Sequence, residues 1–279
     1  MKQKVLVNKI IPFSSVDGPG NRTGIFLQHC NFDCAYCHNP ETINLCVNCG
    51  ACVKACPVNA LSMIDGKVVW DKNKCVNCDT CIKTCTHCSS PKTTMMSVDE
   101  VMDEVEKYAP FIEGITTSGG ECTLAEDFLI ELFKKAKAKG LTCFVDSNGS
   151  NLFSEMPELL SVTDKVMLDV KAWSSDMHAK YIAKDNSTVL SNLRFLLEKD
   201  KMYEVRTVIV PGMLNNEETV DNVSRVIAEI NPDVRYKIIK YRPMGVRNIM
   251  DGIKTPTNEY IDSLKDICEK NGCRNIVIV

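Results

Sequence analysis

The sequence lacks any long stretch of like charge. Its 33 lysines and arginines are interspersed with 36 aspartates and glutamates, the net charge is −3, and neither an acidic nor a basic tail is present. A surface that binds nucleic acid or an anionic membrane needs a stripe or patch of positive charge. We therefore expect no nucleic-acid partner and no membrane partner.

Long apolar runs are missing as well. No stretch reaches the roughly 20 apolar residues that a membrane-spanning helix needs. Near the N-terminus, Asn8 and Lys9 interrupt the apolar residues and no small-residue cleavage site follows, so this segment is unlike a secretory signal peptide. The expected location is the cytoplasm. With 279 residues and 44% hydrophobic content, the chain is long enough for one large domain and a smaller insert.

Cysteine, in contrast, is abundant. The chain has 16 cysteines, and twelve of them lie between Cys30 and Cys88. In a protein of this length without a secretion signal, closely spaced cysteines favour metal or redox chemistry over disulfides. We therefore expect residues 30–88 to bind metal clusters.

Within this region the spacing C-x2-C-x2-C-x3-C occurs twice. It is the pattern of bacterial ferredoxins, in which each run gives three thiolates to one [4Fe-4S] cluster and its fourth cysteine to the other. The expected ligands are Cys46, Cys49, Cys52 and Cys85 for one cluster, and Cys75, Cys78, Cys81 and Cys56 for the other. A pair of zinc ribbons is the alternative, although zinc sites typically pair two C-x2-C knuckles. Cys88 is a further thiol that is a spare, a substitute ligand or merely a buried residue.

The remaining chain alternates between strand-like and helical patterns. Apolar runs typical of strands occur at residues 23–28, 114–119, 141–146, 165–170, 203–210 and 235–241. Helical stretches separate several of them, including one that Ser97 caps and one that Gly140 ends. This alternation predicts an α/β fold with a parallel sheet, a partial (β/α)6 TIM-like barrel that falls short of a closed (β/α)8 barrel. Residues 1–45 and 89–279 would form the barrel, and residues 46–88 a ferredoxin-like insert.

Polar residues follow the predicted strands at their carboxyl ends, where such barrels carry their functional residues. The segments are Ser118, Gly119, Gly120 and Glu121, then Asp146, Ser147, Asn148 and Gly149, then Asp169 with Lys171 close behind. The glycines would let the backbone approach a ligand closely, and the Glu121 carboxylate would be available to an ammonium group. Taken alone, such segments are more often turns or, for Asp169, a helix cap.

A third cysteine run, C-x3-C-x2-C, is formed by Cys30, Cys34 and Cys37. No fourth cysteine belongs to it, because the neighbouring thiols are assigned to the two ferredoxin-like runs. A cluster held by these three cysteines would keep one iron without a protein ligand. An open coordination position is where metal sites carry out chemistry.

This run, with Tyr36 directly before its last cysteine, resembles that of the radical S-adenosylmethionine (SAM) enzymes. The resemblance implies that the open iron binds the amino and carboxylate groups of the methionine part of SAM. It also implies that residues 118–121 hold the methionyl amine, as the GGE motif of that family does. Tyr36 would lie against the adenine edge, with an ordinary core aromatic as the alternative.

Several segments resemble those of one branch, the glycyl radical enzyme activating enzymes, and most closely the YjjW-type activases. Residues 146–149 and 167–171 imply a monovalent cation beside Asp146 and Asp169, with Ser147 and Met167 in its shell and Lys171 in the active site. Residues 16–20 and 206–212 also match. Arg242 stands where relatives commonly have a histidine near SAM, so no role for a histidine transfers to it, and His29 replaces a common glycine.

The resemblance implies reductive cleavage of SAM to a 5'-deoxyadenosyl radical, which abstracts hydrogen from a glycine of a partner enzyme. The implied catalytic residues are Cys30, Cys34, Cys37 and Lys171, and the SAM-binding residues are Tyr36, Ser118, Gly119, Gly120, Glu121, Asp146, Ser147, Asn148, Asp169, Lys171 and Arg206. Three [4Fe-4S] clusters are expected, with electrons from a flavodoxin or ferredoxin type reductant entering through the insert. The glycine loop of the partner would dock transiently on a protein that is otherwise a monomer.

Two other functions remain open at the sequence level. One is a radical SAM enzyme that acts on a small molecule or a peptide, which would share the open cluster and need no partner protein. The other is a non-catalytic iron-sulfur electron carrier, whose first three cysteines would be structural. The polar segments at residues 118–121 and 146–149 argue against the electron carrier.

Overall fold

The computed structural model describes residues 3–279, except for the side chain of Asn248. Its strands are β1 (Lys4–Ser14), β2 (Arg22–Leu27), β3 (Leu61–Ile64), β4 (Lys67–Trp70), β5 (Thr94–Ser97), β6 (Gly114–Gly119), β7 (Thr142–Ser147), β8 (Lys165–Asp169), β9 (Met202–Ile209), β10 (Arg235–Lys240) and β11 (Ile276–Ile278). Its α-helices are α1 (Ala51–Ala55), α2 (Thr80–Thr84), α3 (Val98–Glu106), α4 (Glu126–Ala138), α5 (Pro157–Val162), α6 (Ser175–Ile182), α7 (Ser187–Glu198), α8 (Asn216–Ile230) and α9 (Asn258–Asn271). Across these described residues, no helix is long and apolar enough to cross a membrane.

Nine of the strands form one sheet in the order β11-β10-β9-β8-β7-β6-β2-β1-β5. Seven neighbouring strands of this sheet run parallel, namely β2, β6, β7, β8, β9, β10 and β11. Strand β1 is antiparallel to both β2 and β5. The six predicted strands are confirmed, and they lie next to one another in the sheet in the order in which they occur in the sequence. In the described part of the chain the sheet ends at β5 and β11 and does not close. The α/β class and the partial barrel are therefore confirmed, with β11 and the β1–β5 edge added.

Two of the predicted helices show why their sequences fold locally. Ser97 and Glu100 form a capping box before α3: the Glu100 N–H donates to Ser97 Oγ, and the Ser97 N–H donates to Glu100 Oε2 at 2.7 Å. Helix α4 buries Phe128 and Phe133 and ends before Gly140, whose φ of +79° suits the left-handed position after a helix. Both predicted helices are confirmed.

Alternation along the strands separates the core from the interior of the barrel. Ile25, Ile115, Val145, Leu168 and Val205 lie on five neighbouring strands and are fully buried in the main core. Because successive side chains of a strand point to opposite faces, the residues directly after Val145, Leu168 and Val205 face the interior of the barrel. The polar residues of the site occupy those positions.

Residues 46–88 hold a separate small core of Cys52, Leu61 and Cys81. Strands β3 and β4 form a hairpin whose turn, Asp65-Gly66, has positive φ at both residues, as a type I′ turn requires. The chain enters and leaves this region at neighbouring points, since Asn44 and Ser89 form an isolated parallel bridge. The division into two domains, with a ferredoxin-like insert at residues 46–88, stays a prediction.

Candidate active site

A cavity of about 230 Å³ opens at the carboxyl ends of the parallel strands. The loop after β2 and the ends of β6, β7, β8 and β9 contribute to its wall. The predicted site residues that line it are Cys30, Cys34, Tyr36, Cys37, Ser118, Gly119, Gly120, Asp146, Ser147, Asn148, Asp169, Lys171 and Arg206. One cavity thus brings together every residue predicted for this site except Glu121 and Met167, the latter predicted for the cation shell.

Cys30, Cys34 and Cys37 are the cysteines that line this cavity among the described residues. The Cys37 N–H donates to the Cys34 carbonyl at 3.2 Å and closes the turn between the two thiols. Burial raises the pKa of Cys30 to about 11 and that of Cys34 to about 12. Both thiols are therefore neutral near pH 7 until a bound metal displaces their protons. Three thiols without a fourth fit a cluster that keeps one coordination position open.

Protein packing alone already requires glycine at positions 119 and 120. A Cβ on Gly119 would lie 2.2 Å from the Leu27 carbonyl oxygen, and one on Gly120 would lie 2.0 Å from the His29 carbonyl oxygen. Gly119 also has a φ of +124°, which other residues rarely adopt. The two glycines therefore let the end of β6 lie against the start of the cysteine loop, a reason that the sequence analysis did not foresee.

Glu121 lies behind the cavity wall. Its side chain is buried: Oε1 accepts hydrogen bonds from the hydroxyls of Thr123 (2.6 Å) and Ser147 (2.9 Å), and Oε2 accepts one from the Asn148 N–H (2.7 Å). Burial raises the pKa of this carboxyl, although the hydrogen bonds oppose the change. In this structure Glu121 fixes Ser147 and Asn148, which do line the cavity, and its predicted contact with an ammonium group stays a prediction.

The two aspartates of the cavity are each paired with a basic side chain. Arg206 Nη1 lies 2.9 Å from Asp146 Oδ1, and Lys171 Nζ lies 2.8 Å from Asp169 Oδ2. Burial raises the pKa of Asp146 despite the charge of Arg206. For Asp169 burial acts in the same direction, but the charges of Lys171 and Arg206 outweigh it and lower its pKa overall. Arg206 and Lys171 therefore compensate much of the negative charge of the two aspartates, a role that the sequence assigned to a monovalent cation.

Two further residues add polar groups to the site, Asn148 against the cysteine loop and Tyr36 within it. Asn148 Nδ2 lies 3.5 Å from Cys30 Sγ and 3.2 Å from Asn31 Oδ1. Tyr36 is 2% exposed, and its hydroxyl has no hydrogen-bond partner within residues 3–279. An unpaired buried hydroxyl costs about 1–3 kcal/mol, so a polar ligand that reached it would be favoured. The cavity thus offers thiols, charges of both signs and an unused hydroxyl, which suits a zwitterionic ligand beside a metal cluster.

Two smaller cavities lie in residues 46–88. One is lined by Cys46, Cys49, Cys52 and Cys85, and the other by Cys56, Cys75, Cys78 and Cys81. Each takes its fourth cysteine from the other run, and Cys88 lines neither. Among the described side chains, no three His, Cys, Asp or Glu residues are spaced for a single metal ion. The exchange of the fourth cysteine between the two runs is the arrangement predicted for a pair of clusters.

Glu204 is a site-supporting residue that the sequence analysis missed. Its buried carboxylate lies 2.6 Å from Arg206 Nε, 2.8 Å from Arg235 Nε and 2.9 Å from Lys237 Nζ. Alternate charged residues on two neighbouring predicted strands, 204 and 206 on one and 235 and 237 on the next, were the signal that could have revealed it. Arg247, which contacts the cysteine loop, had no such signal.

Comparison with known proteins agrees with this geometry. The family model "Radical SAM superfamily" matches residues 78–227, and the model "4Fe-4S binding domain" matches residues 43–62. The crystal structure of Streptococcus suis SuiB bound to S-adenosylmethionine aligns with a TM-score of 0.60 at 11% identity, covering 90% of this chain and 48% of that chain. Fold and site together define a radical SAM protein.

Two curated relatives narrow the class. A Haemophilus influenzae protein described as a glycyl-radical enzyme activating enzyme is 31% identical over 265 residues, covering 88% of this chain and 84% of the relative. The (2S)-3-sulfopropanediol sulfolyase activating enzyme of Bilophila wadsworthia is 30% identical over 264 residues, covering 88% and 87%. The chain belongs to the radical SAM superfamily and, within it, to the glycyl-radical enzyme activating enzymes.

Proposed function

We propose that this protein activates a glycyl radical enzyme. When bound in the central cavity, an open-sided [4Fe-4S] cluster and SAM would supply, on one-electron reduction, the radical chemistry that removes a hydrogen atom from a glycine of the partner. The observation that carries the proposal is the single cavity lined by three thiols, without a fourth, and by both aspartate–cation pairs.

The charged pairs would bind and orient SAM. Lys171 is a buried cation whose pKa Asp169 holds well above its usual value, although burial opposes this. It therefore stays protonated and can attract a carboxylate. Asp146 and Asp169 offer oxygens to an ammonium group or a hydroxyl. A monovalent cation beside these two carboxylates stays a prediction, because Arg206 and Lys171 already lie against them.

The aromatic rings of Phe32 and Tyr36 would shield this site from water. Both residues line the cavity and are buried. Closing a site against water strengthens the electrostatic interactions inside it and protects reactive species from side reactions. The opening that remains would admit a loop of the partner, which we expect to dock transiently on a monomeric activase.

Residues 46–88 would hold two further [4Fe-4S] clusters that deliver the electron. The cavity of Cys46, Cys49, Cys52 and Cys85 adjoins the central site along the chain, because Ile43 lines the central cavity and its carbonyl accepts a hydrogen bond from the Cys30 N–H at 2.9 Å. Cys49 and Cys78 are exposed, so each cluster would approach the surface. A flavodoxin or ferredoxin type protein would act as reductant, and the need for reduced thiols favours the cytoplasm.

A direct test combines two anaerobic assays. Iron-loaded protein with dithionite and SAM should form 5'-deoxyadenosine, and addition of a glycyl radical enzyme should produce a doublet EPR signal. Cys34→Ala should abolish both results, whereas Cys88→Ala, which changes a thiol outside all three cavities, should retain them. Full iron loading without SAM cleavage would leave only the electron carrier. SAM cleavage without a glycyl signal for any tested partner would favour a small-molecule or peptide substrate.

A further inference from the structure

The cysteine loop of the central cavity is fixed on one side by its backbone donors. The Asp33 N–H donates to the Ile182 carbonyl at 3.1 Å, and the Ala35 N–H donates to the Tyr181 carbonyl at 2.8 Å. Both acceptors lie at the end of α6. The carbonyl groups of the same loop need partners of their own, since buried backbone groups are almost always hydrogen-bonded.

Arg247, in the segment after β10, supplies that second side. Its Nη2 donates to the carbonyls of Asp33 (3.1 Å) and Cys34 (2.5 Å), and its Nη1 pairs with the Asp33 carboxylate at 2.7 Å. The Cys34 carbonyl also accepts from the Cys37 N–H, so the guanidinium lies against the turn that sets the spacing of two thiols. Charge-assisted bonds from a planar guanidinium are strong and fix geometry.

The same segment contacts the loop at a second point without using a charge. His38 Nε2 lies 3.1 Å from the backbone carbonyl oxygen of Arg242, and Arg242 is an exposed residue. Arg242 thus carries the same charge on the same segment as Arg247, but only its backbone joins this contact. It provides a matched control for substitutions of Arg247.

We propose that Arg247 is a positioning residue for the open-site cluster: its hydrogen bonds hold the Cys34–Cys37 turn, and its charge makes the cluster easier to reduce. A cation beside a cluster favours the state with one more electron, and donors around the cluster tune its potential in the same direction. The effect on reduction rests on the proposed function. The effect on the turn does not, because it follows from contacts within the protein.

The first experiment follows amide hydrogen exchange in the full chain before iron is added. Arg247→Met should speed exchange at residues 33–37, and the Cys37 amide in particular, whereas Arg242→Gln should leave it unchanged. Amides of β8 report whether the fold is intact in each variant. Equal exchange at residues 33–37 in the Arg247→Met protein, the Arg242→Gln protein and the wild type would overturn the positioning role, whatever the protein is found to catalyse.

The second experiment is a redox titration of the iron-loaded protein, monitored by EPR. The open-site signal is recognised because only a cluster with a free iron changes its signal when SAM is added. Its midpoint potential should become more negative in Arg247→Met. It should stay near the wild-type value in Arg242→Gln and in Arg247→Lys, which keeps the positive charge but lacks the planar guanidinium. An unchanged potential in Arg247→Met would overturn the tuning role. A wild type without any SAM-sensitive signal would instead contradict the proposed function.

Discussion

The Glu204 carboxylate lies 2.6 Å from Arg206 Nε, and both side chains point into the barrel from alternate positions of β9. The same carboxylate also contacts Arg235 and Lys237, so one buried anion forms ion pairs with three cations. Arg206 in turn reaches Asp146 at the cavity. This chain of charges links the interior of the barrel to the proposed SAM site.

Replacing Glu204 by Gln should be strongly destabilising. The change leaves three cations facing a neutral amide, and breaking a buried ion pair typically costs about 3–5 kcal/mol. Urea unfolding should therefore show a free energy of unfolding lower by about 3 kcal/mol. Glu229→Gln is the control, because Glu229 pairs with Arg194 in an exposed contact worth about 1 kcal/mol or less. Similar losses in the two variants would contradict the role given to Glu204.

The contrast between Glu204 and Asp146 shows what the sequence could predict. Period-two patterns and strand ends placed Asp146, Asp169 and the three cysteines around one site, because parallel strands bring their carboxyl ends to a common edge. Glu204 was missed since its partners come from strand register, which pattern alone does not define. Arg247 was missed for a different reason: it lies outside the regular elements and reaches the cysteine loop across more than 200 residues of sequence.

Gly120 illustrates a residue with a constraint that the sequence does not reveal. The sequence pointed to close approach of a ligand, which stays a prediction, and the structure adds close approach of the His29 carbonyl. Both explanations require glycine, so pattern recognition identifies the position without its cause. The same applies to Glu121, whose carboxylate is engaged by Thr123, Ser147 and Asn148. Local sequence cannot tell a free carboxylate from a fully hydrogen-bonded one.

Gly120→Ala should disrupt the cysteine loop selectively. The added Cβ would meet the His29 carbonyl oxygen at 2.0 Å and the Cys30 nitrogen at 2.8 Å, which forces the start of the loop away from β6. Reconstituted protein should then hold about eight irons, instead of the about twelve that three four-iron clusters contain. Gly140→Ala adds a methyl group in open space and should keep full iron, with only a left-handed backbone cost of about 1–2 kcal/mol. Full iron in Gly120→Ala would refute the packing argument.

His29→Gly should stabilise the protein. His29 is exposed and has a φ of +93°, a conformation that costs a residue with a Cβ about 1–2 kcal/mol. Glycine adopts it freely, although the contact of His29 Nδ1 with the Ile43 carbonyl at 3.2 Å is lost. The free energy of unfolding in urea should rise by about 1 kcal/mol. A fall would mean that the Ile43 contact outweighs the backbone strain.

The capping box of α3 predicts a specific pH dependence. Hydrogen bonds from the backbone and hydroxyl of Ser97, with Lys4 nearby, lower the pKa of Glu100 from 4.5 to about 2. A carboxyl whose pKa is lower in the folded state stabilises the protein above its unfolded pKa and loses that contribution as the pH falls. The stability difference between wild type and Glu100→Ala should thus be constant near neutral pH and shrink from about pH 4.5 towards pH 2. Unfolding of iron-free protein at several pH values measures it, and a difference independent of pH would contradict the shift.

Paired substitutions can decide how the clusters of residues 46–88 are held. Cys49 and Cys85 line one cavity, and Cys56 lines the other. If each cavity holds one cluster, the double variant Cys49→Ala/Cys85→Ala damages one cluster and should retain about eight of about twelve irons. Cys49→Ala/Cys56→Ala damages both and should retain about four.

The two double variants remove the same number of thiols, so a general loss of iron affinity would lower both iron contents equally. A lower iron content in Cys49→Ala/Cys85→Ala than in Cys49→Ala/Cys56→Ala would mean that the four cysteines of each run hold one cluster. The cysteines that line each cavity would then not be the ligands of one cluster. Cys88→Ala, outside both cavities, should keep all the iron. Loss of iron in that variant would mean that Cys88 is a ligand. One of the other eight cysteines would then not be a ligand, and further paired substitutions would identify it.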